Sequence, residues 1–253
     1  AIVSQLSPQL NAAVISPVTS ITSALSSIDT SFHQPASALV ASAAGTDPNK
    51  WTGGLWIRSN GGQTTVKSSG SSFDPIFGSA FANVQTRTTF AGVQAGFDSG
   101  VLNFGGTGWN GHVGVTAGFI SATSQELLVS GTRVNFEVPF VGLYGVLTRG
   151  GFFVDAAVRQ DFYGMKINDA TLFPVTTNNP LSGEASNVNG NIGYHFDLPQ
   201  NWFIEPSLGL SVTRSRFDNL ATAQGTIAFS DVHGLLGRAG VRIGTSVMAG
   251  QYL

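Results

Sequence analysis

The feature that most limits what this chain can become is a two-residue alternation that recurs from Trp51 onward. In residues 89–98, Ala91, Val93, Ala95 and Phe97 fall on one side, with Gly92, Gln94, Gly96 and Asp98 on the other. Residues 111–121, 187–197, 202–213 and 235–247 repeat the pattern. Successive side chains of a strand point to opposite faces, so each segment has one apolar face and one polar or small face.

A soluble sandwich also alternates, and three further features favour a membrane. The segments reach about ten residues, enough for a tilted strand to cross a bilayer, whereas sandwich strands usually have about five or six. The polar faces carry Gly, Asn and charge, as a wet interior would, and the apolar faces carry almost none. The connections also alternate in length. Long polar connections are expected at 61–86, 122–131, 165–185 and 217–232. Short turns are expected at 148–151, 197–201 and 248–251, with a medium one at 99–110. Long loops on one side and short turns on the other mark an outer-membrane barrel, with the long loops outside. Trp51, Trp56, Trp109 and Trp202 near strand ends suit interfacial girdles.

Composition supports this reading. Charged residues make up 10% of the 253, against roughly 25% in a typical soluble domain. The formal net charge of −2 offers no basic face to a nucleic acid. There is no cysteine, which excludes disulfides and thiolate metal sites. No run of about 18 apolar residues provides a transmembrane helix. The N-terminus lacks the basic and apolar regions of a signal peptide, so an exported protein is expected here in processed or cut-down form.

Residues 1–46 differ from the rest. Val3, Leu6, Leu10, Val14, Val18, Ile21, Leu25 and Ile28 recur at helical spacing. Pro8 and Pro17 interrupt the pattern, leaving short helical pieces, the better one over 19–32, with a linker at 35–48. A loosely ordered arm is the alternative. The chain thus divides into residues 1–50, a helical segment and linker, and residues 51–253, a transmembrane barrel.

Motifs for chemistry are weak. Gly106-Thr107-Gly108-Trp109-Asn110-Gly111 matches the dinucleotide pattern G-x-G-x-x-G, but that site needs a helix after it and a period-two strand follows. His33, His112, His195 and His233 show no metal spacing. His195 with Asp197 is the nearest approach to a hydrolase, without an evident nucleophile. No catalytic residue, cofactor or metal is expected. Arg58, Glu137, Asp155, Arg159, Asp161, Glu205, Arg238 and Arg242 are read onto the polar face. With Gln94 they form the expected lumen lining, either pairing among themselves or lining a route for a threaded segment or solutes.

Several segments resemble the β-domain of autotransporters. Gly54-Leu55-Trp56-Ile57-Arg58 looks like the Trp-x-Arg opening strand, and residues 90–98 resemble the second strand, with its Gly-x-Gln-x-Gly-x-Asp pattern. Residues 111–119 look like the third strand. Leu143-Tyr144-Gly145 and Phe152-Phe153-Val154-Asp155, across a tight turn, are similar to the fourth and fifth. Arg238-Ala239-Gly240-Val241-Arg242-Ile243-Gly244 resembles a later strand. The resemblance implies an all-β, transmembrane, antiparallel up-and-down barrel of twelve strands, of which about eight to nine are visible. It further implies an N-terminal helix in the lumen, an attached passenger and help from barrel-assembly machinery, in the lipid of a Gram-negative outer membrane. No self-cleaving junction is recognisable in residues 1–46. The final strands and terminal aromatic of the family are not seen by Tyr252-Leu253. The chain is therefore expected to be incomplete, or to have its edges paired by something else. The leading function is export and anchoring of a passenger. The alternatives are a porin-like or structural barrel, a surface adhesin acting through long loops, and a barrel hydrolase.

Overall fold

A computed structural model describes residues 21, 48–74, 78–128, 131–169, 178–222 and 225–245, without the side chains of 68–74, 78–82, 222, 225 and 227. The strands are β1 (Trp51–Asp74), β2 (Gly78–Val101), β3 (Asn110–Glu126), β4 (Arg133–Arg149), β5 (Phe152–Asn168) and β6 (Asn179–Tyr194). They are followed by β7 (Phe196–Asp197), β8 (Trp202–Phe217), β9 (Leu220–Thr222), β10 (Gly225–Ile227) and β11 (Val232–Thr245). Eight long strands run β1-β2-β3-β4-β5-β6-β8-β11 in one antiparallel meander, with β7 added to β8 and β9–β10 a separate hairpin. The sheet curls into a half-barrel; among the described residues, β1 and β11 each pair on one side only.

The curl divides each strand between a buried concave face and an exposed convex one. On the convex face an apolar belt runs through Leu55 and Ile57, Val93 and Phe97, Val115 and Phe119, Val141 and Leu143, Val158, Val188 and Ile192, Leu208 to Val212, and Val241. Leu55 is 83% exposed, too apolar a surface to leave in water and well suited to lipid. The upper limit of the belt crosses the registered rows obliquely. Val158, Val188, Val212 and Leu235 share one row, and the row above reads Gln160, Ser186, Arg214 and His233. That upper row continues through Val141, Ala117, Ala95 and Ile57, still apolar. A belt that climbs across the register is what tilted strands produce in a flat bilayer.

The short-turn end matches the expectation from sequence. Gly150 and Gly151 join β4 to β5, with Gly150 at φ 55 in the left-handed region. Short 3-10 turns at Phe104–Gly106 and Pro199–Asn201 lie in the other two connections. The glycines of the dinucleotide-like motif are thereby explained. Gly106 and Gly108 take positive φ in this turn, while Gly111 opens β3. The expected turn at 248–251 lies outside the described residues, as do 1–20 and 22–47 of the N-terminal segment.

Two expectations need correction. Much of 61–86 is not a loop, because β1 and β2 form a hairpin registered from Trp51↔Val101 to Asp74↔Gly78. β3, β5 and β6 likewise extend into 122–131 and 165–185, and β9–β10 occupies part of 217–232. Polar outward residues such as Gln63 and Thr65 there signal strands leaving the belt for water, and β-pairing continues beyond it. Trp56 is no girdle residue: it turns inward and hydrogen-bonds Tyr144. Trp51 and Trp202 are exposed at the short-turn end, where Trp109 also packs edge-on against Phe152.

An arginine at mid-belt must bring its charge into lipid. Leu208→Arg is expected to destabilise the protein by about 2–4 kcal/mol in phospholipid vesicles, read by denaturant unfolding.

Candidate functional site

The concave face has two chemically distinct halves. Toward the short turns it is polar. Arg58 Nε donates to Gln94 Oε1 at 2.8 Å, and Gln94 Nε2 donates to Thr116 Oγ1 at 2.8 Å, linking β1, β2 and β3. On β5, Arg159 faces Asp161 at 2.7 and 2.9 Å, and Asn187 of β6 donates to the same carboxylate at 2.8 Å. Thr213 of β8 then donates to Asn187 at 2.7 Å, so one chain of bonds crosses three strands. Nearer the turns, Asn191 donates to Asp155 at 2.7 Å. Glu205, 3% exposed, accepts from Arg242 at 2.7 Å and faces His195 Nδ1 at 3.1 Å. Arg242 and His195 also pack on the Phe203 ring.

Glycines make room on this face for flat rings. Trp56 Nε1 donates to the Tyr144 hydroxyl at 2.7 Å, although their strands are separated by β2 and β3. Trp56 covers Gly96 and Tyr144 covers Gly114, and a Cβ at either glycine would collide with the ring. The alternation of glycine with polar residues on the inner face is thus a packing requirement as well as a sign of wetness.

Toward the long connections the concave face becomes apolar. Phe90, Ile120, Phe136, Phe140, Met165 and Ile167 form the heart of a buried cluster, joined by Leu220 and by Ile21. Ile21 is helical and 2% exposed.

These two halves explain where the residues singled out by sequence lie. Arg58, Gln94, Asp155, Arg159, Asp161, Glu205, Arg238 and Arg242 share the parity of the concave face. Glu137 does not: it is exposed on the convex face, across from Ser121 and Gly164. Beyond the belt the convex face meets water and the concave face packs, so polar residues there turn outward. Sequence reasoning missed the apolar upper half altogether. Its signal was a slip in the phase of alternation, marked by adjacent apolar pairs at Phe119-Ile120 and Phe140-Val141.

His195 has carboxylates at both ring nitrogens, Glu205 at Nδ1 and Asp197 at Nε2 (3.3 Å), and among the described residues no hydroxyl is hydrogen-bonded to it. Among the described residues the ring thus meets carboxylates and no nucleophile. At the mouth, Asp231 lies 2.7 Å from Arg214 and 3.3 Å from Arg216. Hydrogen bonding to Arg214 first, then Arg216, holds the Asp231 carboxyl below its usual range.

A curled meander with a lipid-type outer belt and a polar, hydrogen-bonded inner face defines a half-barrel of the outer-membrane kind. The family model described as the autotransporter β-domain matches residues 55–252. The chain belongs to the autotransporter β-domain family, a translocator domain. A solved structure similar to it is the β domain of the Bordetella autotransporter BrkA. That likeness has a TM-score of 0.53 at 24% identity, over 78% of this chain and 74% of that one. No curated protein matches the sequence.

The Arg159–Asp161 pair gives a direct test of the inner face. Arg159→Met strands a fully buried carboxylate and is expected to cost about 3–5 kcal/mol, measured by denaturant unfolding, with Asp161→Leu added to the same chain recovering most of the loss.

Proposed function

We propose that this chain is the membrane translocator of an autotransporter, seated in a Gram-negative outer membrane and delivering an attached N-terminal passenger to the cell surface. The observation that carries the reading is the pairing of an exposed apolar belt with a polar inner face, in a chain of this family. Residues 1–50 act as a helical segment and linker, with the helix inside the lumen. Residues 51–253 belong to the barrel. The helical, buried Ile21 and the start of β1 at Trp51 support that division.

The lumen is lined by Arg58, Gln94, Asp155, Arg159, Asp161, Glu205, Arg238 and Arg242, which keep a wet wall along the passenger's route. The barrel closes with twelve strands. An unpaired sheet edge in lipid would leave backbone groups without partners, at several kcal/mol each, so the edges of β1 and β11, each unpaired on one side among the described residues, favour further strands beside them. The same cost argues for assembly machinery that shields those edges during insertion. The long-connection end faces the outside, following the length asymmetry of outer-membrane barrels.

The test uses the full-length protein with an epitope in the passenger. External protease should remove the epitope from intact cells. In planar bilayers the purified protein should conduct weakly, and deletion of residues 1–46 should raise the conductance. Large, steady conductance unchanged by the deletion would make the protein a porin instead.

A further inference from the structure

On the convex face, just beyond the apolar belt, three cations from three strands come together. Arg87 of β2 and Arg133 of β4 lie in one registered row on either side of Gln125 of β3. Lys166 of β5 lies one strand further, opposite Asn135 of β4 and hence one outward residue below Arg133. Adjacent strands are about 4.8 Å apart, so the three backbones span roughly 15 Å across the sheet. All three side chains are exposed, and none forms an ion pair with a described residue. Their nearest outward carboxylate, Glu137, lies lower on β4 and pairs with none of them. Arg214 and Arg216 differ: Asp231 holds both, and Glu184 stands across from Arg216.

On the same β1–β5 sector, eight residues down each strand from the cations at Ala95, Val141 and Val158, the belt is hollowed. A groove of about 920 Å³ has small residues, Ala95 and Ala117, as its floor, between Ile57, Phe97, Leu143 and Val158. A second hollow of about 620 Å³ continues it toward the short turns. Arg87 lies four residues beyond Ala91, and Lys166 four beyond Phe162. With about 3.4 Å per residue and a tilt near 45°, that sets both about 10 Å above the belt, and Arg133, eight residues beyond Val141, about 19 Å above it. Long basic side chains bend down toward headgroups.

We propose that the β1–β5 sector of the convex face is a docking site for a phosphorylated, acylated lipid of the outer leaflet. Its phosphate sits on Arg87, Arg133 and Lys166, and an acyl chain lies in the groove below. Charge selects the occupant: apolar tails alone would not call for three cations that have no acidic partner among the described residues, and soluble phosphate would not call for the groove. The inference rests on the reading above that the long-connection end faces outside.

The test titrates lipid A into phosphatidylcholine vesicles carrying the full-length protein and follows the unfolding temperature. Lipid A should raise it, and dephosphorylated lipid A should not. The variant Arg87→Gln/Arg133→Gln/Lys166→Gln should need on the order of 100-fold more lipid A for the same shift, about fivefold per cation. Arg214→Gln/Arg216→Gln should titrate like the unaltered protein. Equal titration of the triple variant overturns the proposal, as does an equal shift from dephosphorylated lipid A or from inorganic phosphate alone. Failure of the unaltered protein to insert, shown by protease digestion through its strands, would overturn the membrane reading and the proposal with it. Insertion without discrimination between the lipids overturns the proposal alone.

Discussion

A strand has two faces, and in a membrane barrel they meet different solvents. Lipid on one side will not hydrogen-bond a peptide group, so each strand within it must be paired by its neighbours. Lipid will not solvate charge cheaply either, so every ionisable group at that depth must turn to the concave face. The rest of the molecule follows from these two demands. The meander satisfies the backbone, the alternation sorts the side chains, and the oblique belt records the strand tilt. Arg159, Asp161, Asn187 and Thr213 then have one another as partners because no better solvent is available on the opposite face.

The same demand ends where the belt ends. Beyond Phe119, Val141 and Phe162 the strands keep pairing, but the outward residues of the convex side turn polar. The sheet then behaves like a soluble one, polar outside and packed inside around Phe136, Phe140 and Met165. One strand therefore carries two hydrophobic patterns in opposite phase.

This reversal also explains what was legible in the sequence. The strands inside the belt, the short turns and the inward direction of Gln94, Asp155 and Glu205 could be read because one rule, apolar outward, held throughout. Glu137 was misplaced because the rule was carried past the belt into water. The outer part of the β1–β2 hairpin, within residues 61–86, reads as a connection because its outward residues become polar there, and pairing leaves no mark in a single strand's pattern. Trp56 was read as an interfacial aromatic from its position near a strand start. Its partner Tyr144 is 88 residues away, and the gap it fills is set by glycines on the strands between.

Lipid cover of the convex face within the belt, ending at Arg214, is open to direct measurement. The chain has no cysteine, so nitroxide labels can be placed singly along β8 in lipid vesicles. Collision with oxygen, which concentrates in lipid, should peak at 204, 206, 208, 210 and 212 and fall at the residues between. At 214 and 216 a water-soluble nickel complex should become the stronger relaxant. Oxygen maxima at 205, 207 and 211, or equal accessibility on both faces, would contradict the account.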